Sequence, residues 1–250
     1  TIRARLTVGA DGLHSVVARR LGRVRHGLPR RLGFVAHLDG VEGMAESAEL
    51  FVGHQGYAGL NPIGGGRTNV ALVVPASRAA AARGRAESFF LETLRDFAPV
   101  HARIRQASLA RRVLVTGPFA ASAGRVTAEG AALVGDAADF FDPFTGEGIF
   151  SALRGAELLA DVAAEALAAR GHARASALAP YRRARRRAFG GKWAVERLIG
   201  YGMWWPSLFD RAVGRLGRRG SMAHTLIGVT GDFVPAGEVL NPRFLLRMVL

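Results

Sequence analysis

The sequence predicts an α/β chain in which a parallel layer is split by a β-rich insertion and followed by helices. Three observations predict it. A strand, a tight glycine turn and a helix succeed one another between Arg3 and Leu21. A compact apolar strand, Gly130–Val134, runs through a glycine-rich loop into a long helix. Between these two segments lies a series of short strands separated by turn signals. With 250 residues, 49% of them hydrophobic, the chain makes one large domain or two modest ones and has the apolar surface for a core, which excludes wholesale disorder.

Taken in order, Arg3–Val8 alternates and ends in Gly9-Ala10-Asp11-Gly12, after which Ser15–Leu21 has helical spacing. Short strands follow at Leu32–Leu38, Glu49–Val52, Tyr57–Leu60 and Thr68–Val74. The last two are joined by Asn61-Pro62-Ile63-Gly64-Gly65-Gly66, a strong hairpin signal. Ala76–Phe97 reads as one helix, with Phe90, Leu94 and Phe97 at i, i+4 and i+7 on a buried face. Val113–Val115 is a further strand. After Gly130–Val134 a helix is expected from Ile149 to about Ala169. Beyond Gly171 the pattern is helical to the end, interrupted at Pro206, Gly220, Pro235 and Pro242.

Charge and composition narrow the classes. Lys and Arg number 34 against 20 Asp and Glu, a formal +14; Lys192 is the sole lysine, so 33 are arginines. The absence of cysteine removes disulfide scaffolds, zinc ribbons and thiol nucleophiles. Arg182, Arg183, Arg185, Arg186 and Arg187 form a basic run that reads as a solvated helix face or as an anionic membrane contact. No recognition-helix, RNP or zinc-finger pattern accompanies it, so specific nucleic-acid binding is not expected. Asp161 and Glu165 break the longest apolar run before it reaches membrane-span length. The expected location is the cytoplasm, with peripheral membrane contact through the basic C-terminal region as one reading. Because Thr1 is not an initiator and Ile2–Val8 reads as mid-fold sequence, the chain is taken as the C-terminal part of a longer protein.

Two constellations carry chemistry. The first runs from Val8 to Gly22 and includes Asp11, Gly12 and Ser15. Glycines at a strand end admit a ligand close to the backbone, and the following helix start offers unpaired amides suited to phosphate, or else the segment is an ordinary capped turn. The second runs from Leu133 to Ile149 and contains Gly135, Asp136, Pro143, Gly146, Glu147 and Gly148. An Asp just past a buried strand is placed for ribose hydroxyls. A Gly-bracketed helix start points amides at an electron-rich ring and stabilises negative charge on a reduced cofactor. The alternative is a glycine-rich helix entry with Asp caps. Asp136, Asp139 and Asp142 lack the spacing of a calcium loop, so no metal is expected.

Together the two stretches resemble the flavoprotein monooxygenase and geranylgeranyl-reductase superfamily. Residues 9–22 fit its motif G-A-D-G-x-x-S-x-V-x-R-x-L-G, and residues 135–148 fit G-D-A-A-x-x-x-x-P-x-x-G-x-G, in the family's order and separated by an insertion. The resemblance covers roughly the first 165 residues. It implies an incomplete parallel-sheet FAD-binding domain (1–26 and 119–165), an inserted, mostly antiparallel substrate domain (27–118) and a C-terminal helical region (166–250). It implies that Asp136 binds the FAD ribose, that Asp11 and Gly12 serve the pyrophosphate region through neighbouring backbone or water, and that Pro143 and Gly146–Ile149 lie against the flavin. Gly135 belongs to the same motif. Asp142-Pro143-Phe144-Thr145-Gly146-Glu147-Gly148-Ile149 is closest to the reductase branch. In the hydroxylase branch an Arg often follows the Val at position 17, where this chain has Ala18.

The fingerprint G-x-G-x-x-G that opens such folds does not occur here, consistent with a missing leading segment. No G-x-S-x-G elbow or H-E-x-x-H pattern is present, and no catalytic residue is assigned. Glu147 reads as a general acid or as a simple partner of the helix dipole. Tyr57 and Asn61, near the hairpin of the inserted sheet, read as substrate contacts or as plain strand and turn residues. Trp204, Trp205, Phe209 and Phe244 read as core, in preference to an apolar pocket or membrane patch. The expected function is FAD-dependent oxidation–reduction of a small apolar or isoprenoid-like molecule. The alternatives are a hydroxylase of the same fold with NAD(P)H as electron donor, and a non-catalytic flavoprotein fold.

Overall fold

Strand β1 (Thr7–Gly9) lies parallel to a strand more than a hundred residues downstream, and this pairing organises one half of the molecule. The computed structural model describes residues 2–22, 24–168 and 171–249. Its contacts divide the chain into two units, Thr1–Leu28 with Ala120–Leu250, and Pro29–Phe119.

The first unit begins with β1, α1 (Val16–Leu21) and β2 (Val24–His26). The alternation from Arg3 yields only this short β1. Upstream of it Arg5 donates from its guanidinium to the carbonyls of Leu167 (2.6 Å) and Gly171 (2.8 Å). A cation near the carbonyl end of a helix is favoured by unpaired acceptors and the dipole, and Arg5 O accepts from Ala173 N–H at 3.0 Å.

The second unit comprises β3 (Arg31–Asp39), β4 (Glu49–Gly53), β5 (Gly56–Pro62), β6 (Arg67–Pro75), α2 (Ala76–Ala79), α3 (Ala86–Arg95), α4 (Ala98–Ile104), β7 (Ser108–Leu109) and β8 (Leu114–Thr116). Its sheet has the order β4-β5-β6-β3-β7, with β8 also on β3, and every pair is antiparallel. The β5–β6 turn closes with Ile63 N–H on Arg67 O at 3.0 Å. The helix expected over Ala76–Phe97 is broken: Gly84 has φ +71°, outside the helical region, and separates α2 and a short 3-10 turn from α3. Phe90, Leu94 and Phe97 are nevertheless all buried, against Phe34, Leu38, Leu60 and Leu72. Each fully buried side chain of this size contributes roughly 1.5–3 kcal/mol.

The chain then returns to the first unit with β9 (Ala121–Ala123), β10 (Thr127–Ala128), β11 (Ala131–Leu133) and β12 (Asp139–Phe140). β11 sits between β1, parallel, and β10, antiparallel; β9 pairs antiparallel with both β2 and β12. Helices α5 (Gly148–Ala168) and α6 (Ala179–Gly202) cover this layer. Leu159 and Ala166 pack with Leu178, Tyr181, Ala132 and Val134. The expected helix end at Ala169 lies outside the described residues. α7 (Pro206–Arg218), α8 (Gly220–Thr230), α9 (Gly237–Leu240) and α10 (Pro242–Val249) follow. Pro206, Gly220 and Pro242 open helices instead of merely interrupting them; a proline in the first turn forgoes an amide that has no acceptor there.

Two expectations are corrected in this unit. Arg185 is not on a solvated face: it is 4% exposed, while Arg182, Arg183, Arg186 and Arg187 are exposed. Its position, four residues after buried Tyr181 and four before buried Phe189, puts it on the inward stripe of α6. Trp204 and Trp205 are not core: they are 50% and 58% exposed at the α6–α7 corner. Phe244 does pack, beside Val195, Val229 and Val239.

Candidate flavin site

The two glycine motifs meet through the parallel pair. Thr7, Val8 and Gly9 stand opposite Ala131, Ala132 and Leu133, and Val134 N–H donates to Gly9 O at 2.9 Å. The Asp11 turn and the Asp136 loop therefore leave the same end of adjacent parallel strands. Carboxyl ends of parallel strands are where α/β folds place ligands. Gly135 has φ +57°, and a Cβ there would meet the Ala152 Cβ at 3.0 Å, so glycine lets the loop lie directly on α5.

The Asp11 turn is held by its own neighbours. Ser15 Oγ donates to the Asp11 carboxylate at 2.5 Å, Val16 N–H at 2.7 Å and Val17 N–H at 3.4 Å. Ser15 Oγ in turn accepts from Ala18 N–H at 2.8 Å, and Gly12 O accepts from Ser15 N–H at 3.0 Å. Asp11 and Ser15 together satisfy the first amides of α1, the role of a helix cap. The Ser15 hydroxyl, followed by the backbone amides, holds the Asp11 carboxyl below its ordinary value.

The Asp136 loop is built differently. Asp136 is half-buried, and among the described residues no group donates a hydrogen bond to it or pairs with its charge. Burial, then repulsion from Asp139, pushes its carboxyl up. Downstream, Asp142 caps a 3-10 turn by accepting from Phe144 N–H at 3.1 Å, and Gly146 closes the turn at φ +74°. α5 then starts at Gly148 with amides that have no acceptor within the helix. Ile149 is 79% exposed beside them.

Partners from the distant α6 clamp this loop. Tyr181 Oη donates to Leu133 O at 2.8 Å, at the end of β11. Arg185 pairs with Asp139 and lies over the rings of Phe189 and Trp193. Lys192 Nζ bonds Glu147 at 3.0 Å and Asp232 at 3.2 Å, with the Phe150 ring centroid 4.3 Å away. Burial keeps the Glu147 carboxyl raised despite Lys192, and burial likewise raises Asp139 despite Arg185. Glu196, on the same stripe, is pushed up to about 7 by burial and by the charges of Glu147 and Asp139. Glu147 is thus a buried anchor and not a free acid.

Gly135, Asp136, Pro143, Glu147 and Gly148 line one cavity of about 40 Å³, joined there by Arg185, Trp193 and Glu196. That space admits water-sized groups, and beside it the start of α5 presents an open face. The face has room: a Cβ at Gly146 meets nothing within 4 Å, and one at Gly148 meets only Phe140 at 3.9 Å and Asp136 Oδ1 at 4.0 Å. An unpaired carboxylate for sugar hydroxyls, next to open helix-start amides, is a donor–acceptor set that fits a flavin dinucleotide. Gly146 and Ile149 flank this cavity; Asp11 and Gly12 do not line it. Tyr57 and Asn61 belong to the second unit, where they share the face of β5 opposite Ala58 and Leu60 of the core; Tyr57 is buried and Asn61 exposed.

Sequence patterns alone did not single out Arg185, Trp193 or Glu196 as site residues, and noted Lys192 only as the sole lysine. A usable signal was present: Tyr181, Arg185, Phe189, Lys192 and Glu196 recur at helical spacing on one stripe.

A parallel strand pair that presents a glycine-rich loop, an acceptor Asp and an open helix start defines a dinucleotide-binding α/β protein. Residues 1–195 match the FAD-binding domain family, and the chain belongs to it. Digeranylgeranylglycerophospholipid reductase 1 of Methanococcoides burtonii is 33% identical over 174 residues, 67% of this chain and 41% of that protein. The chain thus spans less than half that reductase's length. A flavin-dependent brominase structure superposes with a TM-score of 0.79 at 17% identity, over 96% of this chain and 62% of that one. A geranylgeranyl bacteriochlorophyll reductase-like structure from Thermoplasma acidophilum gives 0.70 at 17%, over 99% and 59%. These two likenesses establish the fold. Among the described residues no helix is long and apolar enough to cross a membrane.

Proposed function

We propose that this chain forms the flavin loop and substrate sheet of an FAD-dependent oxidoreductase that reduces carbon–carbon double bonds in an apolar, isoprenoid-bearing lipid. The observation that carries the reading is Asp136, a half-buried carboxylate without a donor among the described residues, beside the open start of α5. Bound FAD supplies hydride transfer. Asp136 accepts the ribose hydroxyls, the first amides of α5 face the polar edge of the ring, and Pro143 with Asp142 stiffens the approach. Lys192 holds Glu147, and with it the start of α5, against the C-terminal helices. The similar reductase named above supports the lipid substrate class. In this reading residues 1–26 and 119–165 bind FAD, 27–118 bind substrate, and Tyr57 and Asn61 contact it.

The C-terminal region adds peripheral membrane contact. Trp204, Trp205 and Leu208 are 50%, 58% and 42% exposed at the start of α7, whose later turns carry Arg211, Arg215 and Arg218. Interfacial helices combine such aromatic and basic residues.

The experiment is to reduce the FAD-loaded full-length protein without oxygen and add a geranylgeranyl-bearing glycerophospholipid. Saturated product detected by mass spectrometry supports the reading. Oxygen-dependent hydroxylation with NAD(P)H as donor establishes the hydroxylase alternative instead, and failure to bind FAD establishes a non-catalytic fold.

A further inference from the structure

We propose that the cleft between the β9–β10 turn and α6 is a binding site for a phosphate or diphosphate group carried on an apolar molecule. The cleft has a volume of about 520 Å³, within the range of roughly 300–1,000 Å³ that small-molecule sites occupy. Arg125 enters it from the β9–β10 turn, and Arg182, Arg185, Arg186 and Arg197 from α6. The carboxylates that line it are Glu129 and Asp139. Asp139 is taken by Arg185, and Glu129 accepts from Ala175 N–H at 3.0 Å. Arg197 donates to Trp193 O at 3.2 Å and lies over the Phe141 ring. Among the described residues no carboxylate pairs with Arg125, Arg182 or Arg186.

Scattered solvation does not account for this arrangement. Arg182 and Arg186 are four residues apart on one helix, where like charges repel, and Arg125 is brought to the same concavity from a different element. Arg183 and Arg187, in the same run, do not line the cleft. Several arginines lining one volume, Arg125, Arg182 and Arg186 among them without a carboxylate partner among the described residues, match an anion with several oxygens, which phosphate and diphosphate present. Trp193, Val126, Ala138 and Ala175 supply apolar wall for the carbon part of the ligand. The site goes beyond the flavin reading and does not rest on it.

The test titrates the FAD-loaded full-length protein by calorimetry with inorganic pyrophosphate and, separately, with short-chain phosphatidylglycerol below its micelle concentration. Three proteins are compared: the parent, Arg182→Gln/Arg186→Gln, and the control Arg183→Gln/Arg187→Gln. The parent is expected to bind at least one probe, the cleft variant to bind it more than about tenfold more weakly, and the control to change by less than about twofold. Binding of pyrophosphate alone identifies a free phosphorylated ligand, and binding of the lipid a headgroup; either supports the site. Equal weakening in both variants, or no binding of either probe to the parent, overturns it. Loss of FAD in the cleft variant also overturns it, since those arginines then serve the flavin phosphates, and the flavin reading stands. A parent without FAD refutes the flavin reading, while the two titrations still decide the cleft.

Discussion

The Asp11 turn and the Asp136 loop leave the same end of two adjacent strands, yet opposite kinds of bond hold them. Among the described residues the hydrogen-bond partners of Asp11 lie within six residues of it, and its exposed carboxylate accepts from Ser15, Val16 and Val17. The Asp136 loop is held by Tyr181, Arg185 and Lys192, each 45 to 48 residues from its partner, while Asp136 itself is left bare. A locally capped turn holds its shape without help from distant elements. A loop clamped from afar, with one acceptor free, is organised to receive something.

The largest effect expected from breaking the clamp is at Lys192. Lys192→Met leaves Glu147 buried without its partner, and losing one member of a buried pair costs about 3–5 kcal/mol. Denaturant unfolding should show this loss, and adding Glu147→Gln should recover most of it.

Glu196 sharpens the same contrast through pH. Its folded pKa of about 7 lies above the unfolded value, so the folded state holds the extra proton and stability falls as pH rises from about 4.5 to 7. The ceiling on this loss is roughly 3 kcal/mol. Glu196→Gln should flatten the pH dependence over that window; an unchanged profile contradicts the raised pKa that partial burial beside Glu147 and Asp139 gives Glu196.

Asp136→Ala should weaken FAD binding by roughly 1.5–3 kcal/mol per lost charge-assisted bond, read by flavin titration, with the unfolding midpoint of the flavin-free protein unchanged or slightly raised. The smallest effect is at the turn. Asp11→Ala removes a cap worth about 1 kcal/mol. Because the folded pKa of Asp11 is depressed, its stabilisation is present above the unfolded value and disappears as pH falls through the folded one. Acid unfolding of parent and variant should therefore converge.

The same contrast explains what was legible in the sequence. Asp11 and Ser15 lie four residues apart, so the capped turn could be read directly, as could Gly135 and Asp136 at the end of an apolar strand. Strands β2, β9, β10 and β12 have two or three residues, too few for any period to register. The clamp from α6 was not legible because its partners are distant in sequence, and Arg185 is hidden in a run whose other arginines are exposed. Gly84 interrupted a helix whose apolar spacing continued through it, so the buried face was right and the continuity was not.

The most direct measurement is FAD affinity against pH for the parent, Asp136→Asn and Asp11→Asn. If, as proposed, the ribose hydroxyls donate to the charged carboxylate, the parent should bind more tightly as pH rises through the elevated pKa of Asp136 and then level off. Asp136→Asn should bind weakly with no such rise, and Asp11→Asn should keep the rise and nearly the full affinity. If Asp11→Asn loses the cofactor as severely as Asp136→Asn while remaining folded, the division into a structural turn and a receiving loop is wrong.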